Sequence, residues 1–205
     1  MIEKPAITEQ AIEKVLAERW SGRFYDSTQA VSEEQIIQLC EAARWAPSCY
    51  GEQPWRFIIF NRHQNEKAWT QALNCLSPGN QEWAQNAPLL IIATSNIEFS
   101  HNNTPNRWAA YDTGAASISL CLQASAMGLM SHQMGGFDSN QTRQSFNLPD
   151  NVECWAIIAI GYPAPLDTLD KTQLERELKI RERRPLSDNF FVNSWDKPLT
   201  SGENK

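Results

Sequence analysis

Two clusters of arginine in this chain of 205 residues have the composition of a phosphate site. The first, RWSGRF, places Arg19, Ser21 and Arg23 at the end of a predicted helix, and the second, RERRP, contains Arg181 and Arg183. Guanidinium groups offer forked donors that match the oxygens of a phosphate. The alternative is an exposed helix end, where cations interact favourably with the last carbonyl groups. The spacing alone favours this plainer interpretation.

The stretch APSCYGEQPWRF, residues 46–57, combines small side chains, two prolines and a glycine directly before a predicted strand. Pro47, Ser48, Cys49 and Gly51 are small enough for a planar ring to approach the backbone closely. A loop shaped by its two prolines explains the same residues, and on this stretch alone it is the better interpretation. Cys49 is a weak candidate for a nucleophile, because no histidine can be paired with it from the sequence.

A third candidate is SHQMGGFD, residues 131–138, which follows a long predicted helix. Gly135 and Gly136 would let successive backbone N–H groups point at one acceptor, such as a cofactor edge or an oxyanion. The alternative is a Gly-Gly turn before a helix that is capped by Asp138 or Ser139. His132 is equally explained as a loop histidine whose hydrogen bonds are satisfied locally.

Hydrophobic periodicity predicts the elements that must position these stretches. Helices are predicted at residues 8–20, from Ser32 to the residue before Pro47, and at 64–75, 80–86 and 106–127; strands are predicted at 55–60, 88–95 and 152–160. Ser32 and Gln35 form a capping-box pattern, and Gly128 is expected to end the longest helix. Strands and helices alternate without a repeat or a linker, which predicts one α/β or α+β domain. Residues 196–205 are expected to form a flexible tail.

Composition argues against several classes of protein. The formal charge of −6 disfavours nucleic acid as a partner, and the longest apolar run, residues 88–94, is too short to cross a bilayer. Five scattered cysteines without a C-x-x-C pair, and no signal peptide, predict reduced thiols and a cytoplasmic location. Three histidines without ligand-like spacing predict no metal site. No G-x-G-x-x-G follows a predicted strand, so a dinucleotide-binding fold of the usual type is not supported.

The order of the motifs resembles the FMN-dependent nitroreductase family from about Arg19 to Pro185. The resemblance is carried by RWSGRF, ARWAPSCYGEQPWRF, YDTGAASISLCLQASAMGL, HQMGGFD, AIIAIGYP and RERRP, in this order. It implies an α+β fold with a central, mostly antiparallel sheet flanked by helices, in an intertwined homodimer with two FMN molecules at its interface. The resemblance implies that the planar ring beside the small-residue stretch is a flavin, and that the two arginine clusters converge on its phosphate.

The resemblance also implies cofactor-binding roles for individual residues. The residues that would hold the FMN phosphate are Arg19, Ser21, Arg23, Arg181 and Arg183. Those that would pack on the isoalloxazine from the other subunit are Pro47, Ser48, Cys49 and Gly51. Those expected at the pyrimidine side and near N5 and O4 are Asn80, Trp83, Met134, Gly135 and Gly136. Some members have Glu where Gly135 stands, so the Gly-Gly stretch is expected to act through backbone N–H groups.

The implied activity is a ping-pong reaction in which NAD(P)H donates electrons and a nitroaromatic, a quinone or a similar electron-poor small molecule accepts them. Trp108 and Tyr111 are candidates for the substrate side, although aromatic residues at helical spacing are more often core. The segment 96–107 is the natural place for a lid. No side chain has to act as a nucleophile, so no catalytic side chain is assigned. The alternative is a flavin-binding protein with another redox role, in dehydrogenation, in dehalogenation, or as a sensor or carrier.

Overall fold

The computed structural model describes residues 4–200, so the last part of the predicted tail, residues 201–205, lies outside the described residues. The helices within the described range are α1 (Lys14–Glu18), α2 (Glu33–Arg44), α3 (Glu66–Asn74), α4 (Pro78–Ala84), α5 (Ala109–Ala126), α6 (Ser139–Ser145) and α7 (Lys171–Leu178). The strands are β1 (Trp55–Asn61), β2 (Leu89–Asn96), β3 (Met130–Met134) and β4 (Val152–Gly161). The architecture is α+β, as predicted.

The four strands form one sheet in the order β1-β2-β4-β3, and every neighbouring pair is antiparallel. Side chains of β2 alternate between the two faces of the sheet. Leu90 and Ile92 pack into a cluster that includes residues of α3 and α4, whereas Leu89 and Ile91 pack into a cluster with α2 and α5. Because helices cover both faces, β2 is buried from Leu89 to Ser95, which explains its continuous apolar sequence.

The signals that end helices in the sequence are realised as hydrogen bonds. The Ser32 hydroxyl accepts from the Gln35 N–H at 3.1 Å, and the Gln35 side chain accepts from the Ser32 N–H at 3.0 Å, so the capping box of α2 is complete. At the end of α5, Gly128 has φ 73°. The N–H of the next residue, Leu129, donates to the Ala124 carbonyl at 2.9 Å, which closes the helix. Both predictions are confirmed.

Two predicted elements differ in the structure. The helix at residues 8–20 is reduced to α1, because the apolar Ile12 and Leu16 remain about half exposed and give a longer helix no core to pack on. Residues 131–134, predicted as a loop, belong to β3 and pair with β4. Such a short strand has too few residues for a period to be recognised.

Candidate functional site

The first arginine cluster lies on a segment between α1 and the core, residues 19–23, which we call the arginine loop. His132 of β3 donates from Nδ1 to the Gly22 carbonyl at 2.9 Å. Glu177 of α7 accepts the Arg23 N–H at 3.0 Å through Oε1. A Cβ at Gly22 would overlap Sδ of Met130, so a larger residue would force the buried Met130 side chain to move. The arginine loop is therefore fixed to the core through its backbone.

The second arginine cluster reaches the same loop. Nη1 of Arg181 donates to the Arg19 carbonyl at 2.8 Å, and Nη2 donates to the Ala17 carbonyl at 2.6 Å, at the end of α1. Its Nε is buried without a partner. Arg183 is exposed and donates to the carbonyl of Glu182. Arg181 thus brings the second cluster to the first through the loop backbone, while convergence of the two clusters on one phosphate stays a prediction.

Positive charge is concentrated around the arginine loop. Burial lowers the pKa of Arg23, and the neighbouring Arg176 lowers it further. Burial likewise lowers the pKa of Arg181, with Arg19 and Arg183 adding to the effect. Among residues 4–200, no carboxylate lies within 4.0 Å of the charged nitrogens of these arginines. Since guanidinium groups stay protonated, such a group of cations favours an anionic ligand.

Two titratable side chains bind the backbone of the arginine loop: His132, which is half-buried, and Glu177, which is buried. Burial lowers the pKa of His132, and because its Nδ1 faces a carbonyl oxygen, the neutral ring carries its hydrogen on Nδ1. Burial raises the pKa of Glu177, which is only 4% exposed. The His132 ring packs on Trp83 with ring centroids 4.6 Å apart. Trp83 itself is 5% exposed and belongs to the core, so its predicted place beside a cofactor is not supported.

The Gly-Gly stretch follows β3 and is held by the start of α4. The Gly136 carbonyl accepts from Nδ2 of Asn80 and from the Ser77 N–H, both at 2.9 Å. A Cβ at Gly136 would lie 2.8 Å from Asn80 Nδ2, whereas a Cβ at Gly135 would meet nothing within 4 Å. A side chain at Gly136 would therefore displace Asn80 and Ser77, whereas Gly135 is exposed. Asp138 caps α6, so the alternative interpretation of this stretch also holds.

The small-residue loop, residues 46–53, is held by α5. Asp112, on the first turn of α5, accepts the Cys49 N–H at 3.0 Å through Oδ2, and its side chain is buried. The Ser48 hydroxyl accepts the Gln53 N–H at 3.0 Å. Pro47 and Gly51 are exposed. The loop is thus fixed from inside by a carboxylate while several of its small residues face outward.

The same loop has a strained backbone. Tyr50, Gly51 and Gln53 have φ of 55°, 67° and 48°, a region that side chains other than glycine rarely adopt. Such conformations persist where surrounding contacts enforce them, and they cluster at functional sites. Here the Glu52 carboxylate accepts the N–H and the hydroxyl of Ser100 at 2.9 and 3.2 Å. The segment predicted as a lid is therefore attached to the small-residue loop.

Trp108 and Tyr111, the predicted substrate residues, lie beside this loop and outside the core. Their rings meet edge to face with centroids 6.2 Å apart, and they are 39% and 75% exposed. They share the beginning of α5 with Asp112, which binds the small-residue loop. An aromatic surface therefore borders the loop.

The two loops lie at opposite corners of the sheet. The small-residue loop leads into β1 at Trp55, which pairs with Ser95 at the far end of β2. The arginine loop contacts β3 at Met130, which pairs with Gly161 at the end of β4. Strands β1 and β3 are the two edges of the sheet, and the 18 residues of α5, about 27 Å of helix, separate its two ends. One chain therefore does not bring both loops to one ligand.

A cavity of about 410 Å³ borders the arginine loop. Its wall combines the cationic side chains of Lys4, Lys14 and Arg19 and the aromatic rings of Trp20 and Phe24 with two carboxylates, Glu18 and Glu177. In residues 4–200 no cluster of His, Cys, Asp and Glu could hold a metal ion. None of the described helices is long and apolar enough to cross a membrane.

Comparison with known proteins assigns the chain to a family. The family model described as nitroreductase family matches residues 16–162. The chain belongs to the nitroreductase family. The predicted family and the predicted class of enzyme, an oxidoreductase, are thereby confirmed.

Individual relatives agree with this assignment. The chain is 32% identical over 150 residues to an uncharacterized 15.4 kDa protein of Mycolicibacterium smegmatis, covering 70% of this chain and 99% of that protein. It is 26% identical over 163 residues to the oxygen-insensitive NADPH nitroreductase of Helicobacter acinonychis, and this match covers 65% of this chain and 78% of that protein. A solved structure of an oxidoreductase containing FMN is similar with a TM-score of 0.85 and 30% identity, over 93% of this chain and 96% of that chain.

Four residues that hold the two loops were not recognised from the sequence: Asp112, Glu52, Glu177 and, as a loop anchor, His132. Asp112 offered one signal, since it is a charged residue within an otherwise small and apolar helix, where burial requires a partner. The others carry no local signal, because their partners are between 48 and 154 residues away along the chain. The predicted roles of the remaining cofactor residues, including Met134 at the buried end of β3, stay predictions.

Proposed function

We propose that this chain is an FMN-dependent oxidoreductase that uses NAD(P)H to reduce nitroaromatics, quinones or similar electron-poor acceptors by a ping-pong mechanism. The observation that carries the proposal is the arginine loop, on which Arg19, Ser21 and Arg23 offer donors without a carboxylate partner next to their charges. Two relatives support it: one is named as an NADPH nitroreductase and the other as an oxidoreductase containing FMN.

The residues present fit FMN. The unpaired guanidinium groups of the arginine loop suit a phosphate dianion. The exposed backbone at Gly135 and the amide of Asn80, which is held against Gly136, offer hydrogen-bonding groups to the edge of a ring. When bound, FMN supplies the redox chemistry, since it takes two electrons from NAD(P)H and gives them to the acceptor.

The chain's own residues bind, orient and exclude water in this proposal. Arg19, Ser21 and Arg23 hold the phosphate, and Arg183 adds positive charge. Backbone N–H groups near Gly135 stabilise negative charge on the ring by fixed hydrogen bonds. No side chain of the chain serves as a nucleophile.

The small-residue loop has a second part in the proposal. Its small side chains allow close contact with one face of the ring and exclude water from it. Trp108 and Tyr111, beside this loop, offer aromatic surface to a flat acceptor.

We infer in addition that the working form is a homodimer with two FMN molecules. The arginine loop and the small-residue loop lie at opposite corners of one chain, so a complete site needs the small-residue loop of a second copy. An apolar stripe on α5 supports this inference: Tyr111 and Ile118 are exposed, and Gly114 between them has no neighbour near its Cβ position. A second helix could approach closely there, and burial of this stripe would stabilise the pair.

The experiment that tests the function is an absorbance spectrum of the purified protein, followed anaerobically as NADPH or NADH is added. A flavin band that bleaches quickly and returns with a nitroaromatic or a quinone is the expected result. Parallel lines in double-reciprocal plots would support ping-pong turnover, and intersecting lines would contradict it. A band that persists would favour another redox role, and a protein that takes up no FMN would overturn the proposal.

A further inference from the structure

Three polar side chains hold successive backbone groups of the arginine loop. Arg181 binds the carbonyl of Arg19, His132 binds the carbonyl of Gly22, and Glu177 binds the N–H of Arg23, over distances of 2.8, 2.9 and 3.0 Å. The three come from different places in the chain: the segment after α7, strand β3 and helix α7. None of these bonds uses a side chain of the loop itself.

We propose that Arg181, His132 and Glu177 are positioning residues, which fix the arginine loop so that its own side chains face a phosphate. This inference rests on the proposed function, because FMN is the phosphate ligand in question. It differs from the expectation drawn from the family resemblance, in which Arg181 binds the phosphate itself.

The geometry of Arg181 argues for an indirect role. Both of its terminal nitrogens donate to backbone carbonyls at the end of α1, and Nε is buried. Each terminal nitrogen keeps a second hydrogen, but its bond to a carbonyl fixes the guanidinium against the loop backbone. Turning the group towards a ligand would leave two half-buried carbonyl groups without their donor, which is unfavourable. Arg181 therefore contributes to the loop's shape and to the local positive charge.

Glu177 and His132 are explained by the same role. A carboxylate beside several arginines would repel a phosphate if it faced the ligand. Glu177 lines the same cavity as Arg19, but it is only 4% exposed and its Oε1 binds the loop N–H. His132 uses Nδ1 for the loop while its ring packs on Trp83, so its position is fixed from the side of the core. The loop is therefore held on two sides through its backbone.

A fixed loop binds a phosphate more tightly than a mobile one, because the guanidinium groups are not ordered at the moment of binding. Loss of one anchor should therefore weaken binding of FMN more than binding of riboflavin, which lacks the phosphate. Replacing a residue that only supports the fold would weaken binding of FMN and of riboflavin to the same extent.

Two sets of variants separate these possibilities. His132→Phe removes the donor but keeps a ring against Trp83, while His132→Asn keeps an amide donor near the place of Nδ1. Arg181→Met keeps the aliphatic stem and removes the donors. Arg143→Met is the matched control for Arg181→Met, because Arg143 also donates to two backbone carbonyls, those of Pro149 and Val152, at 2.7 and 2.6 Å.

The measurement is the dissociation constant of FMN and of riboflavin for the full chain, from quenching of flavin fluorescence. We expect His132→Phe and Arg181→Met to weaken FMN binding about tenfold, the usual size for one lost hydrogen bond to a charged or buried partner. Riboflavin binding should change less than about threefold in the same variants. His132→Asn should recover most of the lost FMN affinity. Arg143→Met should leave the ratio of the FMN and riboflavin dissociation constants unchanged. Equal losses for both flavins, or an unchanged ratio in all variants, would overturn the proposal.

Hydrogen exchange of the FMN-free protein provides the second readout. If the anchors position the loop, amides of residues 19–24 exchange faster in His132→Phe and Arg181→Met than in the parent protein. If Arg181 binds the phosphate directly, the free loop exchanges at the same rate, and the proposal fails. A parent protein that binds neither flavin contradicts the proposed function, whereas the exchange rates still decide the positioning role.

Discussion

His132 combines two tasks, since one nitrogen anchors the arginine loop and the ring packs on Trp83. Both tasks place the ring in a half-buried position, and burial lowers its pKa. The cations Arg23, Arg19 and Arg176 face the same ring and lower the pKa further, while the Gly22 carbonyl raises it. The residue is therefore a source of acid sensitivity at the place where the loop is held.

The direction in which stability depends on pH follows from the lowered pKa of His132. Unfolded histidine has a pKa of about 6.5, and in the folded protein the value is lower, so the unfolded chain binds more protons in this range. The free energy of unfolding should therefore fall as the pH falls from about 6.5 towards the folded pKa of His132. Urea unfolding between about pH 5 and 7.5 measures it.

The control for this pH dependence is His132→Asn, which cannot titrate. Its free energy of unfolding should depend less on pH than that of the parent protein. Glu177 has the opposite effect, because its raised pKa favours the folded state at lower pH, but it is present in both proteins. Identical slopes in the two proteins would show that His132 does not titrate differently on folding.

At the scale of elements, α5 connects the two halves of the candidate site. Its first turn carries Asp112, which binds the small-residue loop, and its end leads through Gly128 into β3, which carries His132. Small residues predominate in the helix, so it packs closely on α2 and on the sheet. The position of both loops therefore depends on one rigid element.

Asp112→Ala should release the small-residue loop. Without the carboxylate, the Cys49 N–H has no acceptor, and the strained conformation at Tyr50 and Gly51 loses one of the contacts that enforce it. We expect faster hydrogen exchange in residues 47–53 and a loss of about 1.5–3 kcal/mol in the free energy of unfolding, as for a hydrogen bond to a charged group. Exchange mass spectrometry and urea unfolding measure these effects.

Thr113→Val is the matched control for Asp112→Ala. Thr113 is the next residue of α5 and is also buried, but its hydroxyl donates to the Ala109 carbonyl within the same helix. The valine variant should leave exchange in residues 47–53 unchanged. If both variants accelerate exchange equally, Asp112 supports α5 in general and has no special contact with the loop.

The elements that the sequence predicted well are those with strong local signals. The capping box at Ser32, the apolar run of β2 and the glycine that ends α5 each act within a few residues of the chain. The helix at 8–20 was predicted too long because hydrophobic periodicity does not indicate whether the apolar face of a helix packs against the core. Strand β3 was missed because it is specified by pairing with β4, about 25 residues later.

The candidate site shows the same division between local and distant signals. The arginine loop and the small-residue loop were found by composition, and the structure brings the two arginine clusters together. The anchors of the loops could not be found, because each contact depends on the tertiary fold. Trp83 was assigned to the cofactor from the resemblance alone, and the structure places it in the core.

At the scale of the whole molecule, the exposed apolar stripe on α5 gives a test of the proposed homodimer. Ile118→Asp places a charge in the stripe, and burying it without a partner would be strongly unfavourable. We expect the variant to sediment as a monomer and to lose FMN, because each site then lacks the small-residue loop of the second copy. Sedimentation velocity and the flavin absorbance of the purified protein measure both effects.

Leu166→Asp is the control for this substitution, because Leu166 is exposed to nearly the same degree, 39% against 40% for Ile118, and lies outside α5. It should leave the sedimentation coefficient and the bound FMN unchanged. An Ile118→Asp variant that remains dimeric would show that the α5 stripe is not the interface.

The placement of the two loops at opposite corners of the sheet has a genetic consequence. If each site takes one loop from each subunit, a subunit with a defective arginine loop and a subunit with a defective small-residue loop form a mixed dimer in which one site has both defects and the other has none. Two alleles that are inactive alone would then complement each other when they are expressed together. Two alleles with defects in the same loop would not.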